Sequence, residues 1–105
     1  MRTALSALAE PTRFEIVEYL RGGPRSVGQI VEGLGLSQPQ ASKHLRVLSE
    51  AGIVDNLPKA QLRLYSLRPE PFKELDAWLD SFKGLWNERL DRLDSFLREL
   101  GDHNP

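Results

Sequence analysis

Cysteine is missing from this chain of 105 residues, and histidine occurs only twice, at His44 and His103. The absence of cysteine excludes disulfides, thiolate zinc sites and a cysteine nucleophile, and it suits a reducing compartment. Neither histidine stands at a metal-ligand spacing, and His44 has no serine and acid placed for a triad. We therefore expect no metal site, catalytic site, cofactor or enzymatic activity, and we interpret His44 as a packing residue.

Long apolar segments are missing as well. No run approaches the roughly 18 residues that a membrane span needs, and no charged-then-apolar leader opens the chain. We expect an intracellular, cytoplasmic protein that does not contact a membrane. A chain this short buries a modest core, which a second subunit would extend.

Neither sign of charge dominates, since the formal net charge is −1. The charges are nevertheless unevenly placed. Residues 1–68 hold nine Lys and Arg against six Asp and Glu, whereas residues 69–105 hold five against nine. A phosphate-binding surface needs local positive charge rather than a basic pI. The first two thirds can therefore face DNA while the acidic remainder faces solvent or a partner.

Two capping signals organise the middle of the chain. Ser26 is followed three residues later by Gln29, and Ser37 by Gln40, which is the pattern of a capping box at a helix start. Glycines at 33 and 35 separate the two predicted helices. In the second helix the apolar residues Ala41, Leu45 and Leu48 recur at i, i+4 and i+7, which predicts one buried stripe.

The rest of the chain predicts a hairpin and a long helix. Residues 53–67 predict two strands around a turn at 58–60, with Pro58 in the turn, where no ladder N–H is needed. Residues 71–100 predict one helix, ended by Gly101, whose apolar face is wider than a two-stranded seam. The residues we expect in a dimer interface are Phe72, Leu79, Phe82, Trp86, Leu93 and Phe96.

The order of elements predicts a mainly α fold with a small β-hairpin (α+β), namely a winged helix-turn-helix with a long C-terminal dimerisation helix. Residues 1–68 would form the DNA-binding domain, and residues 69–105 the dimerisation helix and tail of the same compact unit. About 30 helical residues span roughly 45 Å. This exceeds what the first 68 residues can cover, so we expect part of the helix to pack on a second copy.

The second helix of a helix-turn-helix pair enters the major groove, where base edges present hydrogen-bond donors and acceptors. Glutamine can bond adenine bidentately, whereas lysine and arginine can bond guanine or phosphate. The free amides at the helix start also favour a phosphate. A solvated helix face is the ordinary alternative for such residues. The predicted DNA contacts are Gln38, Gln40, Ser42, Lys43 and Arg46 on this helix, with Lys59 and Arg63 on the wing, which is the hairpin predicted over residues 53–67.

The segments LAEPTRFEIVEYL, SVGQIVEGLGLSQPQASKHLRVLSEAGIV and LRLYSL resemble the ArsR-type bacterial transcriptional regulators over about residues 4–68. The tail LDAWLDSFKGLWNERLDRLDSFL is similar to a metal-independent branch with a long C-terminal helix. The resemblance implies a dimeric winged-helix repressor, often acting on its own promoter. By residue match it implies base or phosphate contacts at Gln38, Ser42 and Lys43, and a helix-start role near the backbone for Arg13.

The chain departs from the family pattern in three places. Gln40 stands where a small residue is usual, which would alter base preference. Glu10 replaces a better-capping aspartate. The wing carries only Lys59 and Arg63 as cations and has no glycine, so fewer counterions would be released and binding would depend less steeply on salt.

The sequence therefore predicts a dimeric, sequence-specific, metal-independent repressor of its own promoter or adjacent genes. Its operator would be an imperfect palindrome with half-sites roughly 34–36 Å apart. Two alternatives remain, namely a winged-helix protein-interaction module and a repressor released by a small-molecule effector in an aromatic pocket ringed by Trp78, Phe82 and Trp86. Arg89, at an interface position, requires a partner such as Glu88, Asp91 or Asp94. Gly84 permits either a close helix approach or a bend.

Overall fold

The computed structural model describes residues 1–102. Over this range it has six helices and three strands, which are α1 (Arg2–Leu8), α2 (Pro11–Leu20), β1 (Arg25–Ser26), α3 (Val27–Leu34), α4 (Gln38–Glu50), β2 (Val54–Lys59), β3 (Leu62–Leu67), α5 (Pro69–Asp80) and α6 (Lys83–Asp102). The chain divides into two compact units, Met1–Lys73 and a second that starts at Glu74. The predicted α+β class with a winged helix-turn-helix is confirmed. No helix of the described chain is long and apolar enough to cross a membrane.

Both predicted capping boxes are present. The Ser26 hydroxyl accepts from the Gln29 amide of α3, and the Ser37 hydroxyl accepts from the Gln40 amide of α4, each at 3.2 Å. In each pair the glutamine carbonyl accepts the cap residue's own N–H in return. The turn between the two helices requires a left-handed residue, and Gly35 supplies it at φ 66°.

The core of the first unit lies where α2, α3 and α4 meet the base of the sheet. The predicted stripe of Ala41, Leu45 and Leu48 is fully buried, at 0% exposure for each. The buried residues are Ala4, Ala7, Ile16, Val17, Leu20, Ile30, Ala41, Leu45, Leu48, Ile53 and Val54. Because α4 contributes three of them, its orientation is fixed by the core of its own chain.

The sheet has three antiparallel strands in the order β1-β3-β2. The sequence did not predict β1, a two-residue strand that pairs Arg25 with Tyr65. The predicted turn at 58–60 is wrong, since Pro58 lies within β2 opposite Arg63 and the strands close around Ala60 and Gln61. Strand β2 can hold this proline because it lies at the sheet edge, where a strand lacks a ladder partner on one side.

The C-terminal helical segment differs from the sequence prediction in its start, its continuity and its end. The helical segment starts at Pro69 and is divided at residues 81–82 into α5 and α6, so the single helix predicted over 71–100 is two helices. The Ser81 hydroxyl donates to the Trp78 carbonyl, and the amide of Phe82 bonds three residues back, to Leu79. Such local bonds compete with the regular helix ladder. The predicted stop at Gly101 is also wrong, because α6 continues to Asp102.

Candidate nucleic-acid interface

Helix α4 has one buried side and one exposed side. Ala41, Leu45 and Leu48 face the core, and all five predicted contact residues of this helix are exposed. At about 100° per residue, Lys43 and Arg46 lie nearly opposite the buried stripe, while Gln38 and Ser42 lie on one flank. The helix can therefore keep its packing while its other side meets a ligand.

Gln40 is placed differently from Gln38. Two residues of helix separate their directions by about 160°, so both cannot point into the same base pair. The Gln40 carbonyl oxygen accepts from the Ser37 amide at 3.0 Å and from the Ser37 hydroxyl at 3.1 Å. Bidentate adenine recognition needs that same oxygen. Gln40 can thus read adenine only by opening its capping box, whereas the side chain of Gln38 has no hydrogen-bond partner among residues 1–102.

The cations of α4 also differ from each other. Arg46 Nε lies 3.2 Å from Glu50 Oε1 in an exposed pair one turn apart. Lys43 has no ion-pair partner in the described part of the chain. Exposed pairs of this kind contribute about 0.3–0.5 kcal/mol, so a phosphate can displace Glu50 from Arg46 at small cost. Lys43 is available without any such exchange.

The start of α4 offers fewer free amides than the sequence suggested. Pro39 has no N–H, the Gln40 amide bonds the Ser37 hydroxyl, and the Ala41 amide bonds the Ser37 carbonyl. Among residues 38–41, the first four of α4, only Gln38 has an amide N–H without a partner in the described structure. An anion at this helix start would therefore depend on side chains rather than on a cluster of backbone donors.

His44 connects α4 to the start of α2. Its Nδ1 lies 3.7 Å from Glu10 Oε2, and its side chain is only 15% exposed. Glu10 caps α2 by accepting from the Arg13 amide at 2.8 Å. That amide, more than the nearby His44, holds the pKa of Glu10 below its usual value. The sequence analysis did not predict this contact. Its one signal was that His44, a polar residue, lies at the edge of the buried stripe of α4.

The Arg13 side chain is used inside the protein. Its Nε donates to the Ala7 carbonyl at 2.7 Å, which ties the end of α1 to α2. The guanidinium is thereby held in place, with its two terminal amino groups still free to donate. It stands in the first turn of α2, the helix-start position that the resemblance implied, and its role near the backbone stays a prediction.

The two wing cations lie on opposite faces of the hairpin. Lys59 pairs with Leu62 in the register, and Arg63 pairs with Pro58. Because side chains alternate along a strand, Lys59 and Arg63 point away from each other. Both are exposed and have no acid within ion-pair distance over residues 1–102. A single approach to DNA can use only one of them fully. At the tip, Ala60 has a left-handed φ of 56°, a conformation that favours glycine.

The predicted dimer residues fall into two groups. Phe72 is partly buried and packs against the core of the first unit, and its interface role stays a prediction. Phe82 is half-buried between two rings, with centroids 5.1 Å from Trp78 and 5.9 Å from Trp86. The other four remain exposed at 45–56%, namely Leu79, Trp86, Leu93 and Phe96.

The second unit contains no fully buried residue among those described from Glu74 to Gly101. Its apolar residues recur every three or four positions, as a helix needs for one continuous stripe. The stripe consists of Leu75, Leu79, Phe82, Trp86, Leu90, Leu93, Leu97 and Leu100. Arg89 lies at its edge and pairs with none of the three predicted acids within residues 74–102. Glu88 bonds Arg92, Asp94 bonds Arg98, and Asp91 forms no ion pair over the same range.

The chain is similar in sequence to known helix-turn-helix proteins. A family model described as a helix-turn-helix domain matches residues 8–55. The HTH-type transcriptional regulator Rv2034 of Mycobacterium tuberculosis (strain ATCC 25618 / H37Rv) is 37% identical over 99 residues, covering 94% of this chain and 90% of the relative. The transcriptional repressor SdpR of Bacillus subtilis (strain 168) is 32% identical over 82 residues, covering 78% and 91%.

A solved structure resembles the fold. The homodimeric winged helix-turn-helix DNA-binding domain of Mb0332 from Mycobacterium bovis, a possible ArsR-family transcriptional regulator, superposes with a TM-score of 0.65 at 26% identity. The match covers 76% of this chain and 74% of that one. These two relatives and this structure each match about three quarters of the chain or more, rather than one short motif.

Proposed function

This chain belongs to the ArsR-type family of winged helix-turn-helix transcriptional regulators, and we propose that it acts as a homodimeric, sequence-specific repressor. Repression is supported by the relative SdpR, which is a repressor, and homodimerisation by the structural neighbour Mb0332. A repressor of this kind acts by occupying a promoter, here its own or that of adjacent genes. We place it in the cytoplasm because its target is chromosomal DNA.

One observation carries the proposal, namely that α4 exposes polar groups while Ala41, Leu45 and Leu48 on its other side are wholly buried. Gln38, Ser42 and Lys43 project from a helix that Leu45 and Leu48 hold rigidly. Within this proposal Gln38 reads a base edge, Lys43 contacts guanine or phosphate, and Ser42 contacts either. Arg46 contacts DNA once its ion pair with Glu50 opens, and Gln40 chiefly caps the start of α4.

Dimerisation is the second part of the proposal. The exposed stripe of the second unit is long and apolar, and a second copy of the chain would cover it. Two recognition helices would then lie about one DNA turn apart, so the operator would be an imperfect palindrome with half-sites roughly 34–36 Å apart. Arg89, at the edge of the stripe, would find an acid on the partner, since Glu88 and Asp94 are engaged on its own chain.

The wing contributes less to this proposal than the helix does. Lys59 and Arg63 diverge, so one of them contacts the backbone while the other remains in solvent. Few wing contacts mean few released counterions. We therefore propose that base recognition depends on α4 and that the wing adds one phosphate contact.

The decisive experiment is site selection from genomic DNA, followed by a salt titration with Lys43→Ala. We expect a palindromic motif, an affinity loss of about tenfold, and a salt slope smaller by about one unit than that of the unaltered protein. Lys73→Ala, an exposed lysine outside α4, is the matched control and should bind as the unaltered protein does. Failure to select any motif, with both variants behaving alike, would favour the protein-interaction module instead.

A further inference from the structure

A cleft of about 450 Å³ opens between α1 and the C-terminal end of α4, within the first unit. Its polar lining comes from Arg2, Thr3 and Ser6 of α1, Arg13 of α2, and Glu50 of α4. Val47 and two alanines form its apolar wall. This volume is in the range of small-molecule sites, which run from about 300 to 1,000 Å³.

The cleft is positively charged. Neither Arg2 nor Arg13 has an ion-pair partner in the described chain, and the lining acid Glu50 is already bonded to Arg46 at 3.2 Å. The Arg13 Nε bond to the Ala7 carbonyl fixes that guanidinium, so its remaining donors are preorganised. Two guanidinium groups beside one engaged carboxylate favour an anion.

We propose that this cleft binds a phosphate group. Guanidinium donors match phosphate oxygens in a bidentate geometry, and the hydroxyls of Thr3 and Ser6 can donate to a further oxygen. A site of this composition would accept a monoester as well as the free ion, because Val47 and the alanine wall can contact an apolar substituent. A planar carboxylate would leave one of these donors without an acceptor.

Glu50 connects the cleft to the DNA-facing side of α4. Its carboxylate bonds Arg46, a proposed DNA contact, and it also lines the cleft. A phosphate next to Glu50 is repelled by it. Removal of this charge by Glu50→Gln should therefore tighten phosphate binding, whereas loss of a guanidinium should weaken it.

The phosphate can come from two sources, the DNA backbone beside a half-site or a free phosphorylated small molecule. The first source rests on the proposed function, and the second does not. Titration of the DNA-free protein with inorganic phosphate and with phenyl phosphate, followed by NMR of the Arg13 Nε–H and the Ser6 amide, tests the site itself. We expect saturable shifts, about tenfold weaker binding in Arg2→Ala and tighter binding in Glu50→Gln.

Arg21→Ala is the matched control, because Arg21 is an exposed arginine paired with Glu18 outside the cleft. It should bind phosphate as the unaltered protein does. Equal effects of Arg21→Ala and Arg2→Ala would overturn the proposal, since they would indicate a general effect of net charge. Absence of any saturable shift with both probes would overturn it as well, and leaves the repressor proposal untouched because no DNA is present.

The affinity of the Arg2→Ala variant for the selected operator, measured in phosphate-free buffer, distinguishes the two sources of the phosphate. Weaker binding with a salt slope smaller by about one unit identifies a backbone phosphate. Unchanged operator binding, together with phenyl phosphate binding more tightly than inorganic phosphate, identifies a free phosphorylated ligand. Either result supports the cleft as a phosphate site.

Discussion

Helices α4 and α6 both carry an apolar stripe at helical spacing, but only one stripe is buried. The residues Ala41, Leu45 and Leu48 of α4 are completely covered by the chain itself, whereas Leu90, Leu93 and Leu97 of α6 are 53–60% exposed. An exposed apolar surface of this extent marks an interaction site in a soluble protein. The contrast indicates that the orientation of α4 is set within one chain, whereas the stripe of α6 is left uncovered by its own chain and would be covered in the proposed dimer.

The largest expected effect comes from placing a charge in the exposed apolar stripe of α6. Leu93→Asp places a charge in the proposed dimer interface and should convert the protein to a monomer, seen by sedimentation equilibrium. Operator affinity should fall by about 10²–10⁴, because the second half-site no longer benefits from a linked copy. Ser95→Asp is the control, because it adds the same charge to α6 on the exposed side away from the stripe. A Leu93→Asp protein that remains dimeric would show that α6 is not the interface.

The next largest effect is on stability and comes from the buried stripe of α4. Leu45→Ala should lower the free energy of unfolding by about 2–5 kcal/mol, the cost of a cavity at a fully buried leucine. Leu97→Ala removes the same atoms from an exposed position. In the monomeric Leu93→Asp background it should cost less than about 0.5 kcal/mol by urea denaturation. Similar costs for the two changes would contradict the proposed difference between the stripes.

A smaller effect separates the two glutamines of α4. Gln38→Glu puts a negative charge beside the base edges and should lower operator affinity by about 1–3 kcal/mol. Glutamate still completes the capping box in Gln40→Glu, because only the carbonyl oxygen of Gln40 is used there. That variant should keep its melting temperature and lose less affinity. The reverse order in a binding titration would assign the base contact to Gln40.

The smallest effect is expected in the wing. Ala60→Gly relieves the left-handed conformation at the hairpin tip and should raise the free energy of unfolding by up to about 1 kcal/mol. Operator affinity should change little, because the wing provides one contact in this account. Thermal denaturation measures the first effect. A loss of stability would mean that the tip is not strained.

Local signals made much of the first unit predictable. The two capping boxes and the i, i+4, i+7 stripe depend on neighbours within one helix, so they were visible in the sequence and are confirmed. Strand β1 was not predictable, because two residues show no periodicity and it forms only by pairing with β3. The hairpin turn was misplaced because Ala60 carries none of the glycine or asparagine signal that a positive φ usually leaves.

The second unit and the candidate site show a different limit. Residues Ser81 and Phe82 are not helix breakers by composition. Gly84, close to the break, was the sequence signal for a bend, but it allowed a close helix approach equally well. For Gln40 the sequence offered both a cap and a base contact. Only the geometry shows that its carbonyl is already occupied by Ser37.

Because the chain has no cysteine, a single introduced thiol can test directly whether two copies of α4 lie in the DNA groove. A single Ser42→Cys substitution allows one DNA-cleaving iron chelate to be attached to the exposed side of α4, with Arg21→Cys as the matched control. We expect two cleavage clusters on the selected operator, related by its palindrome and separated by about 10–10.5 base pairs. A single cluster, or equal cleavage from Arg21→Cys, would contradict a pair of α4 helices placed in the groove.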